Sequence, residues 1–134
     1  NNFEINDHVT YAGFVNSEDL YFLYKYATAL VIPTYFGPTN HLPIEGFFVG
    51  TPVIYSDLWS ETEQVKGAVL SIDLKNANSL SSKIIDLIDN QDVRKEIIHK
   101  GKQKYKELSV KIKENPKVFK NLFNTFSIIN RNWE

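Results

Sequence analysis

Apolar residues along this chain follow two rhythms, short continuous runs and longer stretches with helical spacing, and the two alternate. Val9-Thr10-Tyr11-Ala12-Gly13-Phe14-Val15 reads as a first strand. Leu20, Leu23, Tyr24 and Ala27 then recur at i, i+3, i+4 and i+7, which predicts a helix with those four as its buried stripe. Asn16 is placed to cap it, with Asp19 positioned to return the capping-box bond. Ala29-Leu30-Val31-Ile32-Pro33 is a second strand, apolar throughout and so suited to burial on both faces. A polar loop from Thr34 to Leu42 follows, and Pro43 sits where a helix takes its first residue. That helix runs to about Val49 and stops at Gly50.

The remaining chain continues the alternation. Pro52-Val53-Ile54-Tyr55-Ser56 is a third strand, and Ser60 is placed to cap a short helix carrying Glu61 and Glu63. Ala68-Val69-Leu70-Ser71-Ile72 is a fourth strand. Two helices are predicted next, Asn78 to Asp89 with Leu80, Ile84, Leu87 and Ile88 inward, then Asp92 to about Glu114. Pro116 breaks the pattern and starts a last helix with Val118, Phe119, Leu122, Phe123 and Phe126 on one side.

Strands joined by crossover helices predict an α/β domain: a Rossmann-like parallel sheet of about four strands, flanking helices and a C-terminal helical tail. The expected division is a domain over residues 1–115 and a helix over 116–134 that packs on it or on a partner domain. Open sheets of this kind bind ligands beyond the carboxyl ends of their strands. The loop Thr34–Leu42 leaves such an end and enters the Pro43 helix, so chemistry is expected there.

Composition narrows the picture. The 134 residues are 43% hydrophobic and 23% charged, a globular balance. No apolar run approaches the roughly 18–20 residues of a membrane span. Without cysteine there is neither a disulfide framework nor a thiolate metal site. The start, NNFEINDHV, has no basic-then-apolar signal, and methionine is absent altogether, so a piece of a longer protein is expected. Charge is uneven: residues 1–91 carry 4 Lys/Arg against 11 Asp/Glu, whereas residues 92–120 carry 10 against 4. The basic segment reads as a solvated lysine-rich helix face or as a contact for an anionic membrane surface. With 2 Arg among the 15 basic residues and few aromatics nearby, nucleic acid is not an expected partner.

The loop reads Pro33-Thr34-Tyr35-Phe36-Gly37-Pro38-Thr39-Asn40-His41-Leu42-Pro43-Ile44-Glu45-Gly46. Amides at a helix N-terminus and the helix dipole favour a phosphate. Gly37 permits an anion-cradling turn, and Thr39 and Asn40 offer short polar side chains. Glu45, in the first helical turn, can accept bonds from vicinal hydroxyls such as those of a ribose. From the residues alone, the same segment reads equally as an Asn/Gly/Pro turn ahead of a helix with an N-terminal glutamate. His41, inside the loop, is read evenly as a ligand contact or as a loop residue. His8 and His99 are expected at the surface, and no histidine spacing suggests zinc. Glu61 and Glu63 are read either as ligand contacts or as cap residues.

An ordered set of motifs carries a resemblance. They are Gly13-Phe14-Val15, Leu23-Tyr24-Lys25-Tyr26-Ala27, Ala29-Leu30-Val31-Ile32-Pro33-Thr34, Leu42-Pro43-Ile44-Glu45-Gly46 and Gly50-Thr51-Pro52-Val53-Ile54. Glu63-Gln64-Val65, Gly67-Ala68-Val69-Leu70 and Asp92-Val93-Arg94 leading to Gly101 complete it. In this order, over about two-thirds of the chain, they resemble the C-terminal, nucleotide-sugar donor-binding domain of a family 4 (group 1) glycosyltransferase of GT-B fold.

The high Asn, Ile and Lys, with Lys far above Arg, suggest a bacterial genome rich in AT, and the resemblance implies an enzyme of polysaccharide biosynthesis. It would transfer a sugar from a nucleotide-diphosphate sugar to a glycan or lipid-linked acceptor, with retention and without a metal or other cofactor. It implies that Glu45 binds the nucleotide ribose and that Gly37, Pro38, Thr39, Asn40 and His41 form the diphosphate side of the site. The family's loop carries two glutamates; the second matches Glu45, but the first falls at Gly37, so no catalytic residue is assigned. Asn40 is the candidate for contacting the sugar in its place. The acceptor would bind through an N-terminal domain absent from these residues, and the fragment alone is expected to be inactive. A cytoplasmic location is implied, with peripheral association at the inner face of the cell membrane. Two alternatives stay open: a non-catalytic flavodoxin-like nucleotide-binding or regulatory module with Asp57 as phosphoacceptor, and a GT-B nucleotide-sugar epimerase.

Overall fold

A computed structural model describes residues 8–36 and 41–114, with side chains as far as Lys111. The elements in chain order are α1 (Ser17–Tyr26), β1 (Leu30–Ile32), α2 (Leu42–Val49), β2 (Val53–Ser56), β3 (Leu70–Ile72), α3 (Ala77–Asp89) and α4 (Gln91–Glu114). The three strands form one parallel sheet in the order β1-β2-β3. Leu30 stands opposite Val53, and Ile54 opposite Leu70. The parallel α/β architecture is therefore as expected, and three of the anticipated strands are present.

Period-2 alternation in the central strand sorts the core into two layers. Val53 and Tyr55 of β2 join Ile32, Phe47, Val65 and Ala68 on one face, with Trp59 and Tyr105 packed against them. Ile54 enters the other face with Ile72, Leu87 and Ile97, supported by Leu80, Ile84 and Val93. The long helix α4 serves both layers, giving Ile97 to one and Tyr105 to the other.

Two glycines let α2 sit close. A Cβ at Gly46 would come within 2.7 Å of Val53 Cγ2 and 3.2 Å of Leu30 Cδ2, so this face of the helix lies directly on the sheet. At its far end Gly50 takes φ 89°, the left-handed cap, and the Gly50 and Thr51 amides both donate to the Gly46 carbonyl.

Four expectations are corrected. Val9–Val15 forms no strand: the segment is irregular, and Tyr11 and Phe14 are 95% and 82% exposed. A strand needs a neighbouring ladder, and these residues pair with none of β1, β2 or β3, although β1 has β2 as its one partner among the described residues. The α1 stripe is not buried either; no residue of that helix is, and Leu23 is 52% exposed. The helix itself forms as expected, because Asn16 Oδ1 accepts from the Asp19 amide at 2.9 Å and Asn16 Nδ2 donates back to Asp19 Oδ2 at 2.8 Å. Ser60 caps no helix: residues 57–66 are successive turns, and its hydroxyl donates to the Asp57 carbonyl. Ile88 faces outward, since the helical phase that turns Leu80, Ile84 and Leu87 inward points it toward solvent. The expected last helix and the 116–134 boundary lie outside the described residues.

Candidate functional site

The site region begins where β1 ends. The Thr34 amide donates to the Ile32 carbonyl at 3.0 Å, and the Phe36 amide donates to Thr34 Oγ1 at 3.1 Å. The chain thus turns at once on leaving the sheet, with Tyr35 and Phe36 exposed. It returns at His41, which takes the N-cap position of α2 with φ −80° and ψ −20°. The His41 carbonyl accepts from the amides of Ile44 and Glu45, and Pro43 occupies the first turn, where a missing amide costs the helix nothing.

Glu45 is half-buried in this first turn. Its carboxylate Oε2 accepts from the Tyr24 hydroxyl at 3.1 Å, a bond that links α1 to α2. Burial pushes the Glu45 carboxyl above its ordinary range; the Tyr24 bond and nearby His41 act in the opposite direction. The same burial, together with Glu45's charge, pushes the Tyr24 phenol upward, so it remains a donor across the physiological range. A hydroxyl is therefore already seated on the carboxylate expected to receive hydroxyls.

Of the sequence-predicted site residues, the structure puts Glu45 and His41 one helical turn apart at the carboxyl end of the sheet. Gly37, Pro38, Thr39 and Asn40 lie outside the described residues. Glu61 and Glu63 are engaged elsewhere, Glu61 with Lys66 at 2.9 Å and Glu63 with Lys111 of α4. His99 is exposed as expected, and Trp59 is a packing residue. Asp57 follows β2 and is exposed; among the described residues no cluster of three or more His, Cys, Asp or Glu is placed to hold a metal ion. No helix among the described residues is long and apolar enough to cross a membrane.

Tyr24 is the residue that sequence reasoning assigned differently. Helical spacing counted it into an apolar stripe, because periodicity registers the ring and not the hydroxyl. Its spacing from Leu20 and Ala27 was legible; its partner, 21 positions away, was not.

A parallel α/β sheet with flanking helices, and with α2 starting at the carboxyl end of β1, defines a Rossmann-type α/β fold. The chain belongs to the Glycosyl transferases group 1 family, whose sequence pattern matches residues 1–104. It is 31% identical over 97 residues to a glycosyltransferase of Methanocaldococcus jannaschii, covering 71% of this chain and 25% of that protein. It is 28% identical over 101 residues to the O-antigen chain mannosyltransferase B of Escherichia coli, covering 75% and 26%. Its fold matches the sucrose-phosphate synthase of Thermosynechococcus elongatus with a TM-score of 0.71, at 24% identity over 90% of this chain and 32% of that one. The fold is thus that of a GT-B glycosyltransferase, and the chain spans about a quarter of the length of the curated relatives it matches.

Proposed function

We propose that this chain supplies the nucleotide-sugar side of a retaining, hexosyltransferase-type family 4 glycosyltransferase. The enzyme moves a sugar from a nucleotide-diphosphate donor to a glycan or lipid-linked acceptor. Glu45 accepts bonds from the ribose hydroxyls, and the backbone of residues 37–41 faces the diphosphate. The observation that supports this reading best is Glu45 itself, a half-buried carboxylate in the first turn of the helix that follows β1, already bonded to a hydroxyl.

Breaking the glycosidic bond leaves negative charge on the departing diphosphate. Amides and a helix N-terminus fixed where that charge appears stabilise the transition state, by roughly 3 kcal/mol for a well-aimed donor. In this reading the protein backbone meets the diphosphate, and the family likeness supports a reaction without a metal. The mannosyltransferase named among the relatives supports a hexose donor and a polysaccharide-type acceptor. The acceptor binds to a part of the enzyme beyond these 134 residues, so the chain alone binds donor without turnover. The basic α4 segment supports a place at the anionic cytoplasmic face of the membrane, although Glu96, Glu107 and Glu63 already pair with Lys100, Lys104 and Lys111.

The test is an amide NMR titration with UDP, GDP and ADP. Shifts confined to residues 37–46, and lost in Glu45→Ala, are expected with one of the three. No response to any of them would remove the nucleotide site from this chain, and shifts that survive the substitution would remove Glu45 from it, while either leaves the family membership untouched.

A further inference from the structure

We propose that Tyr24 is the positioning residue for Glu45, holding its carboxylate in the orientation that receives the ligand's vicinal diol. The proposal rests on the reading of Glu45 as the ribose contact. Its physical basis is the way Tyr24 is itself held. The helix that carries it has no fully buried residue; Leu20 and Tyr24 are only partly shielded. Polar ties add to the hold on its C-terminal end. Thr51 Oγ1, on a 4% exposed residue, donates to the Tyr24 carbonyl at 2.7 Å. Arg94 of α4 donates to the Thr28 carbonyl at 2.8 Å and to the Ala27 carbonyl at 3.4 Å. Tyr24 is therefore anchored at its backbone, and its hydroxyl reaches Glu45 Oε2 at 3.1 Å.

A carboxylate offers about four lone-pair directions, and one phenol bond uses one of them. The group is left with acceptor capacity for two hydroxyls, while its rotation about the last side-chain bond is restrained. A glutamate free to rotate would acquire that restraint only on binding, at a cost in affinity. The groups facing Glu45 are consistent with this role. Tyr24 from α1 and His41 from the loop both favour the ionised carboxylate against the effect of burial. Lys102 of α4 approaches α2 at Gly50, the opposite end of the helix.

Tyr24→Phe removes the hydroxyl and keeps the ring; Tyr21→Phe, on the same helix, is the control. Two readouts are taken on the chain: binding of a ribonucleoside diphosphate against its 2′,3′-dideoxy analogue, and the pH midpoint of the Glu45 carboxyl followed by carbon NMR. In Tyr24→Phe the ribonucleotide is expected to weaken about ten-fold, the size of one hydrogen bond, with little change for the dideoxy analogue. The Glu45 midpoint is expected to rise, and Tyr21→Phe to leave both readouts unchanged. Equal weakening of both nucleotides would mark a merely structural tyrosine and overturn the proposal, as would no weakening of either. If no nucleotide binds the parent chain, the ribose reading fails separately. The Glu45 midpoint then decides the tyrosine's role: a rise supports the holding bond, and no movement overturns it.

Discussion

The two ends of this molecule use the same kinds of residue to opposite effect. On the side of β2, β3, α3 and α4, leucine and isoleucine at helical and strand spacing close into a dry layer in which Ile54, Ile72 and Leu87 are at most 2% exposed. On the side of α1 and the segment before it, Leu23, Phe22, Tyr26, Phe14 and Tyr11 stand in solvent. An apolar stripe becomes a core only when a second surface meets it. Where none does among the described residues, the region is tied by directional bonds, here those of Asn16, Thr51, Arg94 and Tyr24. The candidate site lies on the seam between the two regimes. Glu45 belongs to a helix pressed onto the sheet, and its partner belongs to a helix held by hydrogen bonds.

The sharpest way to break this contrast is a matched pair. Leu87→Ala should destabilise the chain by about 2–5 kcal/mol, the range for a buried leucine leaving a cavity. Leu23→Ala, the same chemical change at a half-exposed position, should cost well under about 1 kcal/mol. Chemical denaturation of both variants measures the difference, and equal losses would mean that α1 is packed after all. Next in size is Gly46→Ala, expected to cost about 1–3 kcal/mol, because the new methyl meets Val53 and Leu30 and the helix must lift. The lift would move Glu45 away from Tyr24, so the Glu45 titration should shift along with the loss of stability.

The smallest effect concerns the seam itself. Burial raises the folded-state pKa of Glu45 above its ordinary 4.5, so its ionised form opposes folding at neutral pH. The stability this group favours is fully present below about 4.5 and is lost as pH rises through the folded value. Glu45→Gln should therefore melt at a slightly higher temperature than the parent chain at pH 7, with the advantage gone at pH 4. Stability improved at the expense of the proposed nucleotide binding is the mark of a carboxylate kept for a ligand.

Much of the architecture was legible because it is written in local chemistry. Pro43 and Gly50 bracket α2 by what each does to backbone torsions. Asn16 starts α1 by offering an acceptor three residues ahead, and the apolar runs at Leu30, Val53 and Leu70 mark strands shielded by helices. Glu45 was legible as a candidate for the same reason, since its place in a first helical turn after a strand is a matter of spacing. The readings of Val9–Val15, the α1 stripe and the Ser60 helix went astray where burial or pairing depends on a partner from elsewhere in the chain. Seven apolar-leaning residues look like a strand whether or not their backbone joins a ladder.

By itself, then, the sequence determined most of the elements, their order, the parallel α/β class and the place of Glu45 in the first turn of α2. Torsional preference and periodicity act within a few residues and need nothing else. Tertiary structure alone decided which apolar stripes are dry, which glutamates are engaged by lysines, and that a tyrosine counted among core residues lends its hydroxyl to Glu45. Those outcomes depend on distances between residues far apart in the chain, such as Tyr24 and Glu45 or Glu63 and Lys111. A bond or a desolvated charge exists only once packing has brought its two sides together.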